Sequence, residues 1–258
     1  MIYQRPSYIQ KHDLFRAING TIDNQLENWE NRWQMSFNPS KCTVIRVAPN
    51  KSKTVIHTNY QLHGHTLEIV DSSKYLGVTL TSKLSWDKHV DNVAAKGNRT
   101  LGFIRRNLKD YTRTAKETSY TAIVRPTIEY AATVWDPTSQ SKIKALENIQ
   151  RRGAPGCVTN MITSLGWQSL EQRRQNSRLC MLYKIQHNLI DINRGLYIRH
   201  SDSRTSLFQE RTNNETYRNS FFQRTVRDWN LLPAITVAAA TIEEFRANLG
   251  AKVSPASC

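Results

Sequence analysis

The period of the apolar positions changes near Ser85. Before it, β-branched residues cluster in the short runs "CTVIRV", "VIHTNYQLHGHTLEIV" and "KYLGVTL", which predict extended segments in a small antiparallel meander. Gly64 punctuates the second run, and alternation in the third sets Leu76, Val78 and Leu80 opposite Tyr75, Gly77 and Thr79. Ahead of these runs Ile22, Leu26, Trp29 and Trp33 recur at helical spacing, so "TIDNQLENWENRWQM" predicts one amphipathic helix that Pro39 stops. After Ser85 the period is helical: Val90, Val93, Gly97, Leu101, Ile104 and Leu108 fall three or four apart. A second helix is announced by Thr114 with Glu117 as a capping box, and Pro126 should bend it or end it. "SKIKALENIQRR" carries the stripe Ile143, Leu146 and Ile149, and "RGAPG" breaks the pattern. Helices are also predicted over "SLGWQSLEQRRQNSRLCMLYKIQHNLI", "FFQRTVRDWNLLP" and "TIEEFRANL", the last opening with a Thr241 and Glu244 box. The polar stretch from His200 to Asn219 reads as a mobile loop and the tail "AKVSPASC" as frayed. The expected fold class is α+β and mostly helical, a β-meander followed by a helical bundle.

Composition adds a partner to this picture. With 258 residues, 39% of them hydrophobic, the chain can bury a core. A formal net charge of +15 calls for an anionic partner, nucleic acid before a membrane surface. The cations are organised: Lys96, Arg99, Arg105, Arg106, Lys109, Arg113, Lys116 and Arg125 alternate with Phe103, Tyr111 and Tyr120, giving charges for phosphates beside rings for bases or sugars. Arg151, Arg152, Arg173, Arg174 and Arg178 extend the run, and a plain solvated helix face is the competing reading. All six tryptophans fall near apolar helical positions and are assigned to the core.

Several chemistries are excluded by what the residues do not form. No Asp-Asp pair occurs, and Asp71, Asp87, Asp91, Asp110 and Asp136 are scattered as cap, turn or solvated residues, so a two-carboxylate metal centre is not expected. His57, His63 and His65 lack a further ligand of suitable type, and Gly64 between the last two is hairpin punctuation. Cys42, Cys157, Cys180 and Cys258 form no CxxC pair, no GxSxG elbow occurs and no glycine-rich phosphate loop is present. No apolar run reaches the roughly 20 residues of a spanning helix and the N-terminus lacks a signal-peptide design. The expectation is an intracellular protein, nuclear or cytoplasmic, without membrane or small-molecule cofactor.

The ordered set "WENRWQMSFNPSKC", "LHGHTLEIV", "SKYLGVTL", "LSWDKHV", "LGFIRRNL", "VRPTIEYAATVWDP" and "FFQRTVRDWNLLP" resembles the C-terminal part of the reverse transcriptase of non-LTR, jockey-like and LINE-type retrotransposons. The resemblance implies that "FNPSKC" is motif D of the palm, with Lys41 an accessory group near the incoming triphosphate. It implies that "KYLGVTL" is motif E, the primer grip, a hairpin whose backbone presses on the primer strand, with Tyr75, Leu76 and Gly77 against that strand. The following helices would be the thumb, with Lys96, Arg99, Arg105, Arg106, Lys109, Arg113 and Arg125 on the phosphates of a template–primer of RNA and DNA. The implied division is an N-terminal segment and palm helix (1–34), a palm remnant (35–82), a thumb-like region (83–160), a C-terminal helical region (161–250) and a tail (251–258). The family's Phe/Tyr-Ala-Asp-Asp motif, which holds Mg²⁺, does not precede "LFRAI" here. The expected function is therefore a truncated reverse-transcriptase fragment, inactive as a polymerase alone, with no cofactor of its own. A domesticated helical module that binds another protein is the alternative.

Overall fold

The computed structural model describes residues 25–47, 59–153, 166–192, 195, 198 and 206–250. Ile22, His57, Cys157, Cys258 and the tail lie outside the described residues. The chain divides into two compact units, Met1–Ser85 and Trp86–Cys258. Its fold is α+β and mostly helical.

In the first unit, helix α1 occupies residues 25–33. Its tryptophans are not core residues: Trp29 is 39% and Trp33 58% exposed. The correction has a local cause, since the ladders that follow α1 among the described residues are short, and the ring that Trp29 meets there is Phe37, 5.1 Å away. The strands are β1 (Thr43–Val44), β2 (Gln61–Leu62), β3 (His65–Thr66), β4 (Glu68–Ile69), β5 (Ser72–Tyr75) and β6 (Val78–Thr81). Among the described residues they form three two-stranded ladders, two of them antiparallel as expected, that do not join into one meander. β2–β3 and β5–β6 are antiparallel hairpins, whereas β1 pairs with β4 in parallel, Thr43 opposite Glu68.

Both hairpins turn in two residues with positive φ, His63 (+49°) and Gly64 (+75°) in one, Leu76 (+45°) and Gly77 (+86°) in the other. That left-handed pair matches the twist of the flanking strands. "KYLGVTL" is thus not one strand: the chain reverses at Leu76–Gly77 and Tyr75 lies opposite Val78.

In the second unit α2 (Asp87–Asn107) buries Val90, Gly97, Leu101 and Ile104. Gly97 is where α2 meets its neighbours: a Cβ there would stand 2.5 Å from Ile128 Cγ2 and 3.2 Å from Ile149 Cδ1. Helix α3 (Arg113–Ser119) is capped by Thr112, whose hydroxyl accepts from the Ala115 N–H at 3.3 Å. The expected box at Thr114 does not form, because Glu117 instead pairs with Arg113 at 2.6 Å.

Pro126 neither ends the helix nor stops its packing. The chain passes through a π-helical turn, Tyr120–Val124, in which the Arg125 N–H reaches back to the Tyr120 carbonyl, and continues as α4 (Arg125–Glu129). One extra residue in the turn accommodates a ring that has no N–H to donate. Helix α5 (Ala132–Trp135) follows Ala131 at φ +53°. α6 (Gln140–Gly153) buries the predicted stripe Ile143, Leu146 and Ile149.

α7 (Leu170–Gln186) starts later than its apolar pattern suggests, because the Ser169 hydroxyl caps it by accepting from the Gln172 N–H at 3.1 Å. Then come α8 (Glu215–Arg218), α9 (Phe221–Trp229), α10 (Ala234–Val237) and α11 (Ile242–Gly250). Thr241 and Glu244 cap α11 as predicted, the Glu244 N–H donating to Thr241 Oγ1 at 3.1 Å, while the return bond to Glu244 Oε2 comes from the Ala240 N–H, one residue before the cap, at 2.8 Å. α7, α9 and α11 share a core of Leu179, Leu182, Tyr183, Val226, Trp229 and Phe245. The buried Tyr183 hydroxyl donates to the Ala239 carbonyl at 2.9 Å, so its polar end is satisfied. Part of the expected mobile loop is pinned to this core: Leu207 is buried, and its backbone N–H and C=O both bond the Asn230 side chain at 2.9 Å.

Candidate nucleic-acid interface

At about 100° per residue, Lys96, Arg99, Phe103 and Arg106 fall on the side of α2 away from its buried stripe. All four are exposed, Phe103 by 60%. Among the described residues, none of the three cations is held by a side-chain hydrogen bond or ion pair. Arg105 and Lys109 are also exposed near the C-terminal end of α2, where positive charge complements the negative end of the helix dipole. Tyr111, 61% exposed, follows them. Free cations and flat rings therefore alternate along one helix and its exit.

The later members of the basic run are engaged elsewhere. Arg113 pairs with Glu117, and Lys116 Nζ donates to the Lys109 carbonyl at 2.7 Å, closing the end of α2. Arg125 turns inward over the Trp167 ring at 4.5 Å and the Tyr120 ring at 5.5 Å. Its Nε and Nη2 are buried and have no hydrogen-bond partner among the described residues, and burial, together with the charge of Arg173, pulls its pKa down. Tyr120 is fully buried, so it offers no surface ring, and burial pushes its hydroxyl pKa well up.

Arg173, Arg174 and Arg178 do not extend the basic surface. Arg173 grips Glu129 through Nε and through Nη2 at 2.9 Å, which raises the guanidinium pKa. Arg174 and Arg178, one turn apart on α7, both reach Asp136: Arg174 Nε donates to Oδ1 at 2.7 Å and Arg178 Nε to Oδ2 at 2.9 Å. Arg224 from α9 reaches the same Oδ2 at 3.2 Å and the Asp136 carbonyl at 3.0 Å, while Arg178 Nη2 meets Asp228 at 2.9 Å. Burial lowers the Arg224 pKa against the pull of Asp136. Asp136 holds the C-cap position of α5, but its side chain, 3% exposed, is the hub of a buried ion network and is not solvated. The signal in the sequence was the pair of arginines at helical spacing facing a carboxylate that directly follows the apolar "ATVW" segment.

The first unit holds the other predicted residues. Lys41 ends a 3₁₀ turn, Pro39–Lys41, and is exposed. The turn is fixed by the Asn38 side chain, which accepts from the Ser40 N–H at 3.0 Å and the Ser40 hydroxyl at 2.7 Å. Tyr75 and Leu76 stand 66% and 73% exposed at the β5–β6 turn beside Gly77. His63 lies 3.1 Å from Glu30, whose carboxyl is held below its usual range chiefly by the Phe37 N–H. Among the described residues no three His, Cys, Asp or Glu side chains group so as to hold a metal ion. No helix of the described residues is long and apolar enough to cross a membrane.

No family model matches the chain, and no solved structure matches it. Two curated proteins of Drosophila melanogaster do. "Probable RNA-directed DNA polymerase from transposon BS" is 24% identical over 178 residues, which take in 64% of this chain and 20% of that protein. "Probable RNA-directed DNA polymerase from transposon X-element" is 22% identical over 147 residues, 55% of this chain and 15% of that protein. The chain therefore carries a region related to the reverse transcriptases of non-LTR retrotransposons. It spans about a fifth or less of the length of the curated relatives it matches.

Proposed function

We propose that this chain binds the sugar-phosphate backbone of a template–primer of RNA and DNA, as an accessory part of an RNA-directed DNA polymerase, and does not itself polymerise. The observation that carries the reading is the exposed, unpaired set Lys96, Arg99 and Arg106 around Phe103 on α2. Relatedness to transposon polymerases supports the choice of nucleic acid as the anion. Arg105 and Lys109 add to the same helix. Arg113 and Arg125, paired and stacked, contribute through structure. Tyr75, Leu76 and Gly77 form a grip on one strand, where an exposed turn without a Cβ at Gly77 lets nucleic acid approach the backbone. Lys41 supplies positive charge to a departing pyrophosphate once an acidic centre is present.

Mg²⁺ chemistry is not assigned to the described residues. The carboxylates that converge in the second unit, Asp136 and Asp228, are engaged by arginines and do not fit a metal.

Duplex binding titrated with salt tests the reading. Affinity should fall steeply with salt, and Arg99→Glu with Arg106→Glu should lower the logarithmic salt slope by about 2 and weaken all sequences alike. Reversals without effect would hand the chain to the protein-interaction reading. Incorporation of deoxynucleotides on a primed template with Mg²⁺ by the purified chain would refute the absence of polymerase activity.

A further inference from the structure

A cavity of about 340 Å³ opens between α7 and α11, lined on one side by Cys180, Met181 and Lys184 and on the other by Arg246 and Leu249. Among the described residues its lining contains no carboxylate. Of the three cations around it, Arg173 is held by Glu129, but Lys184 and Arg246 form no ion pair among the described residues. The two carboxylates nearest on α11 are turned to other uses: Glu244 caps its own helix through the Ala240 N–H, and Glu243 is exposed outside the cavity. Each helix thus contributes one cation and one apolar side chain, Lys184 with Met181 from α7 and Arg246 with Leu249 from α11, beside the polar Gln168, Asn176 and Ser177. The volume is that of a small-molecule site, and a duplex cannot enter it.

We propose that this cavity takes one nucleotide of a single-stranded nucleic acid, with Lys184 and Arg246 on its phosphate and Met181 and Leu249 against its sugar or base. The inference rests on the nucleic-acid reading above but concerns a surface separate from the stripe on α2. Positive charge positions the backbone, and Met181 and Leu249 select a nucleotide over a bare anion.

Cys180 reports on occupancy. It lines the cavity, and burial pushes its thiol pKa up, an effect that Arg246 partly offsets, so alkylation should be slow and measurable. The full chain with Cys42, Cys157 and Cys258 changed to Ser is alkylated with iodoacetamide at constant ionic strength. A short oligothymidylate should slow labelling at least fivefold, thymidine monophosphate should do so at higher concentration, and inorganic phosphate should not. Lys184→Gln with Arg246→Gln should abolish protection, whereas Arg99→Glu with Arg106→Glu should retain it at saturating oligonucleotide. The glutamine pair removes charge from partly exposed positions, and an unchanged thermal melt shows that the variant folds. Unprotected Cys180 under conditions where the chain binds duplex overturns this proposal and leaves the α2 reading standing. Equal protection by phosphate also overturns it. Failure to bind any nucleic acid overturns both.

Discussion

At the scale of single residues the largest electrostatic commitment is Asp136. Three guanidinium groups converge on its carboxylate and backbone, Arg174 and Arg178 with side chains 1% and 3% exposed. Such a network is costly to desolvate, so its removal as a whole need not destabilise the protein, but removal of one partner leaves buried charge uncompensated. Asp136→Ala should therefore lose about 3–5 kcal/mol of stability in urea unfolding followed by helical circular dichroism. The Lys142–Asp91 pair, with Asp91 61% exposed, gives the contrast. Asp91→Ala should cost less than about 1 kcal/mol. A steric counterpart sits at Gly97. Alanine there gains helix propensity, about 1 kcal/mol, yet its Cβ meets Ile128 Cγ2 at 2.5 Å. Overpacking of about 1–3 kcal/mol should win. Gly97→Ala combined with Ile128→Ala should cost less than the sum of the two single changes, and strict additivity would show that α2 and α4 do not meet there.

Elements show which features of a chain are legible without coordinates. The helical stripes of α2 and α6 and the α11 capping box were readable because each depends on spacing within one segment. The parallel β1–β4 pair and the Asp136 network were not, because each is decided by partners distant in sequence, and the π turn before Pro126 was not, because an apolar period gives no sign of one inserted residue. Arg174 and Arg178 look like surface cations in isolation, and only the return of "VWDP" beneath α7 turns them inward. In "KYLGVTL" alternation suggested one strand while the resemblance implied a hairpin, and the backbone turns at Leu76–Gly77. Leu76 there combines φ +45° with 73% exposure, a conformation that favours glycine and a side chain that packs little. Leu76→Gly should leave stability unchanged or raise it by up to about 1 kcal/mol. If the turn grips a strand, the same change should weaken primed-template binding. A loss of stability with intact binding would assign Leu76 to structure.

For the whole molecule, a formal charge of +15 works against compaction while buried pairs such as Arg178–Asp136 work for it. The two respond differently to salt. Exposed cations on α2 are screened over about 10 Å at 0.1 M, whereas a buried pair is nearly insulated from solvent ions. Added salt should therefore raise the melting temperature by relieving self-repulsion, while the penalty of Asp136→Ala should stay constant across the same series. A duplex relieves that repulsion more locally, and at about 100 times its Kd it should stabilise the chain by about 2.7 kcal/mol. That gain should vanish as salt rises, because the cations that produce it are the ones that counterions reoccupy. A melting temperature that falls as salt is added, with no response to duplex at low salt, would show that surface ion pairs dominate and that the stripe on α2 is only a solvated face.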